Sequence, residues 1–316
     1  MSERDDLLAQ IASQYYEENL TQFEIAQSMG TSRSTVSRLL RAARDAGIVE
    51  ITIHYPWKTD SQLEQDLINR FNLQHVEVLA GDGRKYEEIL RGIGVLAARY
   101  LERTLVSDVI LGISWGTAIH STVQALRPKE IQRITVVQML GAVGTEDPLI
   151  DGPDLARRLG SIFGGEHRYL HAPLYVENEQ LREALLQEPT IEETLSLAQR
   201  ADIAVVGIGS LDPDFSSLLR AGFLDRNSLA HLCEQGAVGD ICALHYDASG
   251  RQMDIELNRR IIGIKLQDLH GMGQVIGVAG GEAKAEALLG ALRGRYLGVL
   301  ITDDSAARKV LALDQQ

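Results

Sequence analysis

The sequence predicts a small N-terminal helix-turn-helix unit followed by a large α/β domain built on a mainly parallel sheet. Three observations carry this expectation. Within the first fifty residues, two short helical patterns flank Gly30, and the second bears arginines on one face only. From about residue 62 onward, apolar strand-like runs alternate with helical runs. Several of those runs end in glycine-rich turns that open into helices. A length of 316 residues suits two domains, one of them large.

Leu7, Leu8, Ile11, Ala12 and Tyr15 fall at helical spacing, which predicts an amphipathic helix over about residues 5–18. Thr21-Gln22-Phe23-Glu24 is a capping box, with Thr and Glu three places apart. Leu20 before the cap and Ile25 after it fit a hydrophobic staple. The short helix that follows turns Ile25, Ala26 and Met29 inward and stops at Gly30. Thr31 or Ser32 then caps a third helix, with Val36, Leu39, Leu40 and Ala43 on its apolar face. Its other face carries Arg33, Ser34, Ser37, Arg38, Arg41 and Arg44.

Short helix, glycine turn and Ser/Arg-faced helix is a plan for entering the major groove of DNA. On that plan Ser32, Arg33, Ser34, Thr35 and Ser37 reach toward base edges, while Arg38 and Arg41 neutralise phosphates. Thr21 and Gln22 donate to a phosphate from the start of the preceding helix. Residues 32–44 hold four Arg and no acid, whereas residues 1–55 hold five Arg and eight acids. Positive charge is therefore focused on one helix. Residues 48–54 alternate like a strand and suggest a small wing or the start of a linker. Pro56 and Lys58-Thr59-Asp60-Ser61 mark the boundary, giving domains 1–55 and 62–316 joined by 56–61.

Composition excludes several classes. There are 31 Lys+Arg against 44 Asp+Glu, a formal charge of -13, so a protein basic over its whole surface is excluded. Cys233 and Cys242 match no zinc spacing and no disulfide framework, which fits a reducing cytoplasm. No apolar run approaches the ~18 residues of a membrane span, and Met1 to Asp6 is unlike a signal peptide. No fixed-period repeat occurs, and no metal or cofactor is expected.

In the large domain, Leu63, Leu67 and Ile68 predict a helix, His75 to Ala80 a strand, and 86–103 a long helix. Further strands are expected at 107–113, 133–140, 202–208, 274–279 and 296–301. Ligands of such sheets sit beyond the carboxyl ends of the strands. Four strand ends stand out: Gly112-Ile113-Ser114-Trp115-Gly116-Thr117, Gly141-Ala142-Val143-Gly144-Thr145, Val205-Val206-Gly207-Ile208-Gly209-Ser210, and Val278-Ala279-Gly280-Gly281-Glu282-Ala283-Lys284. Each glycine turn alone reads as a tight connection, while four in one domain point to a shared anionic pocket. Lys284 in a first helical turn suits a phosphate. Asp240 reads either as an acceptor for hydroxyl groups or as a helix or turn cap. None of these stretches is a Walker loop or a complete dinucleotide fingerprint. His167 and His171, Arg293 and Arg295, and the acidic run Glu177 to Glu193 read as surface, and Trp115 as packing beside its loop.

These segments together resemble the SorC family of bacterial sugar-responsive transcriptional regulators, nearly end to end. The residues that carry the resemblance are Tyr15-Tyr16, Leu20-Thr21-Gln22, Ile25-Ala26, and the run Ser32 to Leu40. Gly112 to Thr117, Val206 to Gly209, Ala237 to Ile241, Gly280 to Lys284 and Gly290 to Tyr296 carry it further. The resemblance implies operator binding by the N-terminal unit and a sugar-phosphate-isomerase-like fold for the rest. It implies a phosphorylated-sugar effector held by Ser114, Trp115, Gly116 and Thr117, by Gly141, Gly207 and Gly209, and by Gly280, Gly281 and Lys284, with Asp240 on its hydroxyls. Dimers or tetramers are implied too. Gly141-Ala142 departs from the Gly-Gly of many relatives in a loop that selects the ligand. The expected function is control of carbohydrate genes, as a repressor released by its effector. The rival is an isomerase- or deaminase-like enzyme on sugar phosphates, with Asp240 and Glu282 as acid–base groups. It leaves residues 20–45 without a purpose.

Overall fold

A computed structural model describes residues 3–49, 57–81, 83–144 and 151–315. The chain divides into two compact units, residues 1–56 and 57–316. Most of the predicted 48–54 strand lies outside the described residues, as do Pro56 and Thr145.

The first unit holds α1 (Glu3–Tyr16), α2 (Gln22–Ser28) and α3 (Arg33–Asp45). The predicted capping box is present: Thr21 Oγ1 accepts from the Glu24 N–H at 3.3 Å, and the Glu24 carboxylate accepts from the Thr21 N–H at 2.8 Å. Those bonds hold the Glu24 carboxyl below its ordinary pKa. Gly30 adopts φ +61° in the turn, and Ser32 Oγ caps α3 by accepting from the Thr35 N–H. Ile11, Ile25, Ala26, Val36 and Leu40 form the core, with Tyr15, Leu20 and Leu39 packed on it. Met29 is not inward. It is the C-cap residue and is 37% exposed, because the chain leaves the helix there.

The second unit is a sheet with helices on both faces. Its strands are β1 (His75–Leu79), β2 (Ile110–Ile113), β3 (Thr135–Gln138), β4 (Glu166–Arg168), β5 (Ile203–Ser210), β6 (Ala237–Ile241), β7 (Leu244–Asp247), β8 (Gln274–Val278) and β9 (Val299–Asp303). Its helices are α4 (Ser61–Phe71), α5 (Tyr86–Thr104), α6 (Thr117–Ala125), α7 (Gly152–Phe163), α8 (Glu179–Leu186), α9 (Pro189–Ala198), α10 (Ser217–Arg220), α11 (Arg226–Glu234), α12 (Glu256–Arg259), α13 (Ala285–Arg293) and α14 (Asp304–Leu313). Strand order is β1-β9-β8-β5-β2-β3-β4, parallel throughout. The far end of β5 also pairs antiparallel with β6, and β6 with β7.

Alternation along β5 explains the two layers. Ala204, Val206 and Ile208 join a core with α4, α9, α13 and α14, while Ile203 and Val205 join one with α5, α6 and α7. β2 leads onward to β3 on one side, and β5 leads to β8 and β9 on the other. The strand order therefore reverses between neighbouring β5 and β2. A crevice opens at such a switch point beyond the carboxyl ends.

β4, β6 and β7 were not predicted from the sequence. β4 is a three-residue edge, and the β6–β7 hairpin carries glycine and charge instead of a continuous apolar run. The last strand begins at Val299 because Arg295 turns the chain at φ +55° after α13. The acidic stretch from Glu177 forms two exposed-faced helices, divided where Pro189 opens α9.

Close packing fixes some glycines outright. A Cβ on Gly94 of α5 would stand 2.7 Å from the Ser121 backbone of α6. Gly94→Ala is therefore expected to cost about 1–3 kcal/mol by overpacking. Equilibrium urea unfolding measures it, and an unchanged midpoint would show that α5 and α6 separate freely.

Candidate functional site

The first unit presents one charged face. Thr21, Ser32, Arg33, Ser34, Ser37, Arg38 and Arg41 are exposed, and Gln22 and Thr35 are half-buried. Ser32 Oγ lies 2.8 Å from Ser34 Oγ and 2.9 Å from Thr35 Oγ1, so these three hydroxyls form one cluster at the start of α3. Among the described residues, Arg33, Arg38, Arg41 and Arg44 pair with no carboxylate. Their guanidinium groups are free to meet an external anion.

In the second unit, the ends of β2, β5 and β8 converge on one narrow cavity. Ser114, Trp115, Gly116 and Thr117 line it from β2, Gly207 and Gly209 from β5, Gly280 and Lys284 from β8, and Asp240 from β6. Gly116 takes φ +115° and ψ 172°, a backbone open to glycine alone, and is the N-cap of α6. The first N–H groups of α6 therefore point at the cavity mouth without a side-chain cap. Gly209 leaves room for the side chain of its cross-strand partner. A Cβ there would stand 1.8 Å from the Asp240 carboxylate, which lies over the glycine.

Lys284 is the dominant charge. Its side chain is nine-tenths buried, and Nζ donates to the Ile208 carbonyl at 3.0 Å. Burial lowers its pKa to about 8. Asp240 and Asp212 act against that shift from a distance, and Arg220 adds to it. No carboxylate forms an ion pair with it among the described residues. Ser114 is partly committed to the fold, since its Oγ accepts from the Gly207 N–H at 3.2 Å and ties β2 to β5.

Two predicted residues do not line the cavity. Gly141 packs against Pro173, where a Cβ would meet the carbonyl oxygen at 2.3 Å. Gly281 sits beside the cavity at φ +92° and donates its N–H to Asp303 at 2.6 Å. The stretch after β3 is held instead by Asp151, whose carboxylate accepts from the Val143 and Gly144 N–H groups. His167 and His171 flank the Tyr169 ring at the β4 edge, and no metal-holding group of side chains occurs among the described residues. Arg293 pairs with Asp314.

Sequence reasoning missed Tyr86, Leu90, Ser217, Cys242 and Ala243 on the cavity wall, and Arg220 close by. Tyr86 hydrogen-bonds Thr117, packs edge-on against Phe215, and has its hydroxyl pKa raised by burial while Arg220 opposes the rise. Ser217 and Arg220 follow β5, so the strand-end rule extended to residues 211–222 would have reached them. Tyr86 comes from a distant helix and gives no local signal. His245, opposite Asp240 on β7, is wholly buried and its ring nitrogens reach no partner at hydrogen-bonding geometry. Burial lowers its pKa, which keeps it neutral.

A basic-faced helix-turn-helix followed by a doubly covered sheet with a cavity at its switch point defines a ligand-responsive DNA-binding regulator. The chain matches the model described as "Putative sugar-binding domain" over residues 55–312 and the Crp-like helix-turn-helix domain over 6–56. It is 32% identical over 320 residues to the sorbitol operon regulator of Klebsiella pneumoniae, covering 98% of this chain and 100% of that one. It is 31% identical over 309 residues to the deoxyribonucleoside regulator of Bacillus subtilis, covering 98% of each. The crystal structure of full-length SorC from Klebsiella pneumoniae matches with a TM-score of 0.75 at 30% identity, covering 98% of this chain and all of that one. This chain belongs to the SorC family of bacterial sugar-binding transcriptional regulators. It is a DNA-binding regulator of transcription. No helix among the described residues is long and apolar enough to cross a membrane.

The buried amine sets a pH-dependent stability. Between pH 8 and 10.5 the unfolded Lys284 holds a proton that the folded one has lost, so this contribution to stability rises with pH. Lys284→Met is therefore expected to stabilise the empty protein at pH 7 by on the order of 1–3 kcal/mol. The gain should shrink by pH 9.5. Urea unfolding at both values checks this, and a destabilised variant at pH 7 would mean the ammonium is well compensated.

Proposed function

We propose that this chain represses carbohydrate-use genes and releases its operator when a phosphorylated sugar fills the cavity at the ends of β2, β5 and β8. One observation carries the reading: among the described residues, the buried Lys284 ammonium has a carbonyl but no carboxylate ion-pair partner. A phosphate supplies the missing negative charge. Ser114, Trp115, Gly116 and Thr117, with Gly280, Gly281 and Lys284, hold the phosphate side. Gly207 and Gly209 let the sugar approach the backbone, and Asp240 accepts from its hydroxyls. Gly141 acts only from behind the wall, through the loop it anchors against Pro173.

On DNA, Ser32 is committed to capping α3, so Arg33, Ser34 and Ser37 read bases, with Thr35 beside them. Arg38 and Arg41 neutralise phosphates, and Thr21 and Gln22 steady the backbone from the start of α2. The chain works in the cytoplasm, as a homodimer or homotetramer, since two-fold operators match two-fold proteins. The domains are residues 1–55 for DNA and 62–316 for effector binding and assembly, joined by 56–61.

The test is a thermal-shift screen of the full chain against phosphorylated sugars and their unphosphorylated parents. At 100 times Kd a ligand stabilises by about 2.7 kcal/mol, on the order of 5 °C in a unit of this size. The expected result is a shift by one sugar phosphate, lost in Lys284→Ala, with the same compound releasing promoter DNA. Shifts by the unphosphorylated parents alone would remove the phosphate from the reading.

A second variant isolates the DNA unit. Arg38→Ala is expected to weaken operator binding and lower the slope of log K against log salt by about 1, with the sugar-phosphate shift unchanged. Fluorescence anisotropy across a salt series measures it. An unaltered slope would place Arg38 off the phosphate backbone.

A further inference from the structure

We propose that the two-residue turn between β6 and β7 selects the effector, and that Cys242 and Ala243 do so through their side chains. The proposal rests on the effector reading above and assigns one edge of the bound sugar. Ile241 and Leu244 pair across the hairpin, leaving Cys242 and Ala243 as its two central residues. Their φ angles are +53° and +63°, the left-handed region at both positions. Such turns favour Asn-Gly, Asp-Gly or Gly-Gly, because a Cβ in this conformation crowds the neighbouring carbonyl.

The other non-glycine residues with positive φ among those described are Asn19, Asn72, Asp108, Arg133 and Arg295, and all five are exposed. Cys242 and Ala243 are consecutive, and they are only 5% and 1% exposed. Burial explains why no Asn or Asp stands there, since their polar groups would lack partners. It does not explain why position 243 is not glycine, which is equally apolar and at ease with that φ. What alanine adds is one methyl group, and both turn residues line the cavity.

The same wall holds Asp240, two residues before Cys242. A carboxylate that accepts hydroxyl protons therefore stands beside a methyl group and a thiol. Burial raises the thiol's pKa, so it stays neutral. A sugar hydroxyl against the turn would be desolvated with no strong partner. The structure assigns to this pocket a sugar phosphate that places a hydroxyl on Asp240 and an adjacent unsubstituted carbon on the turn, as a deoxy sugar phosphate does.

The experiment compares the full-length wild type with Cys242→Ser and Ala243→Gly. The probes are 2-deoxyribose 5-phosphate against ribose 5-phosphate, and 2-deoxyglucose 6-phosphate against glucose 6-phosphate. Calorimetry gives each Kd, and melting of the empty proteins reports the cost to the fold. The wild type is expected to prefer the deoxy member of one pair by about tenfold or more. Both variants should bring that ratio toward one by gaining the hydroxylated member, with the empty melting temperature of Ala243→Gly held or raised. A wild-type preference for the hydroxylated member would overturn the proposal. So would a ratio unchanged in both variants, or a melting temperature of Ala243→Gly lowered by several degrees with selectivity intact, which would make the turn core packing only. If no sugar phosphate binds the wild type, the effector reading has failed and the turn has no effector to select. Binding of the wild type with unaltered variants sinks the turn alone.

Discussion

A buried ammonium with no carboxylate ion-pair partner among the described residues is the constraint around which the second unit is arranged. Lys284 stands where β8 ends, held to the Ile208 carbonyl of β5. Withdrawing an amine from water disfavours its charged form, and the fall of its pKa to about 8 expresses that cost. Asp240 and Asp212 relieve the cost from a distance. A carboxylate bonded directly to Nζ would relieve it more, but would also occupy the position an anion needs. The empty site is thus less favourable than the filled one. On the proposed reading, an effector that fills the site would bias any equilibrium in which these strand ends differ, typically by about 1–3 kcal/mol between sites.

Glycine makes this geometry possible. Gly209 leaves room for the Asp240 carboxylate across the β5–β6 pair, and Gly239 lets that strand lie against Ala287 of α13. The antiparallel hairpin thereby delivers an acid and a tight apolar turn to a site otherwise built from parallel strand ends. Gly116 does the corresponding service at α6, exposing helix N–H groups that an L side chain's backbone would turn elsewhere.

Much of this was legible in the sequence. Paired caps around Gly30 and a one-sided arginine pattern fixed the helix-turn-helix, because caps and periodicity are local signals. The parallel strands were legible as apolar runs, since both faces are covered. Nine of the eleven pocket residues anticipated do line one cavity, because strand ends of a parallel sheet share an edge. The hairpin was not legible. Its strands are short, its turn lacks the Asn-Gly signature, and Asp240 read equally well as a cap. Tyr86 and Arg220 reach the site through tertiary structure, which no spacing announces. Gly141 misled because a glycine demanded by close packing against Pro173 looks identical, in sequence, to one that admits a ligand.

The charge distribution completes the division of labour. The chain carries -13 overall, yet residues 32–44 carry four Arg and no acid. The second unit holds most of the negative excess and so adds repulsion, not affinity, toward a polyanion. On the proposed reading, contact with DNA rests on α3, whose arginines pair with no carboxylate among the described residues. In the proposed homodimer, two such units on paired half-sites would hold DNA by effective concentration. An effector that alters only the spacing of two such units needs to change no contact at either helix to release the operator.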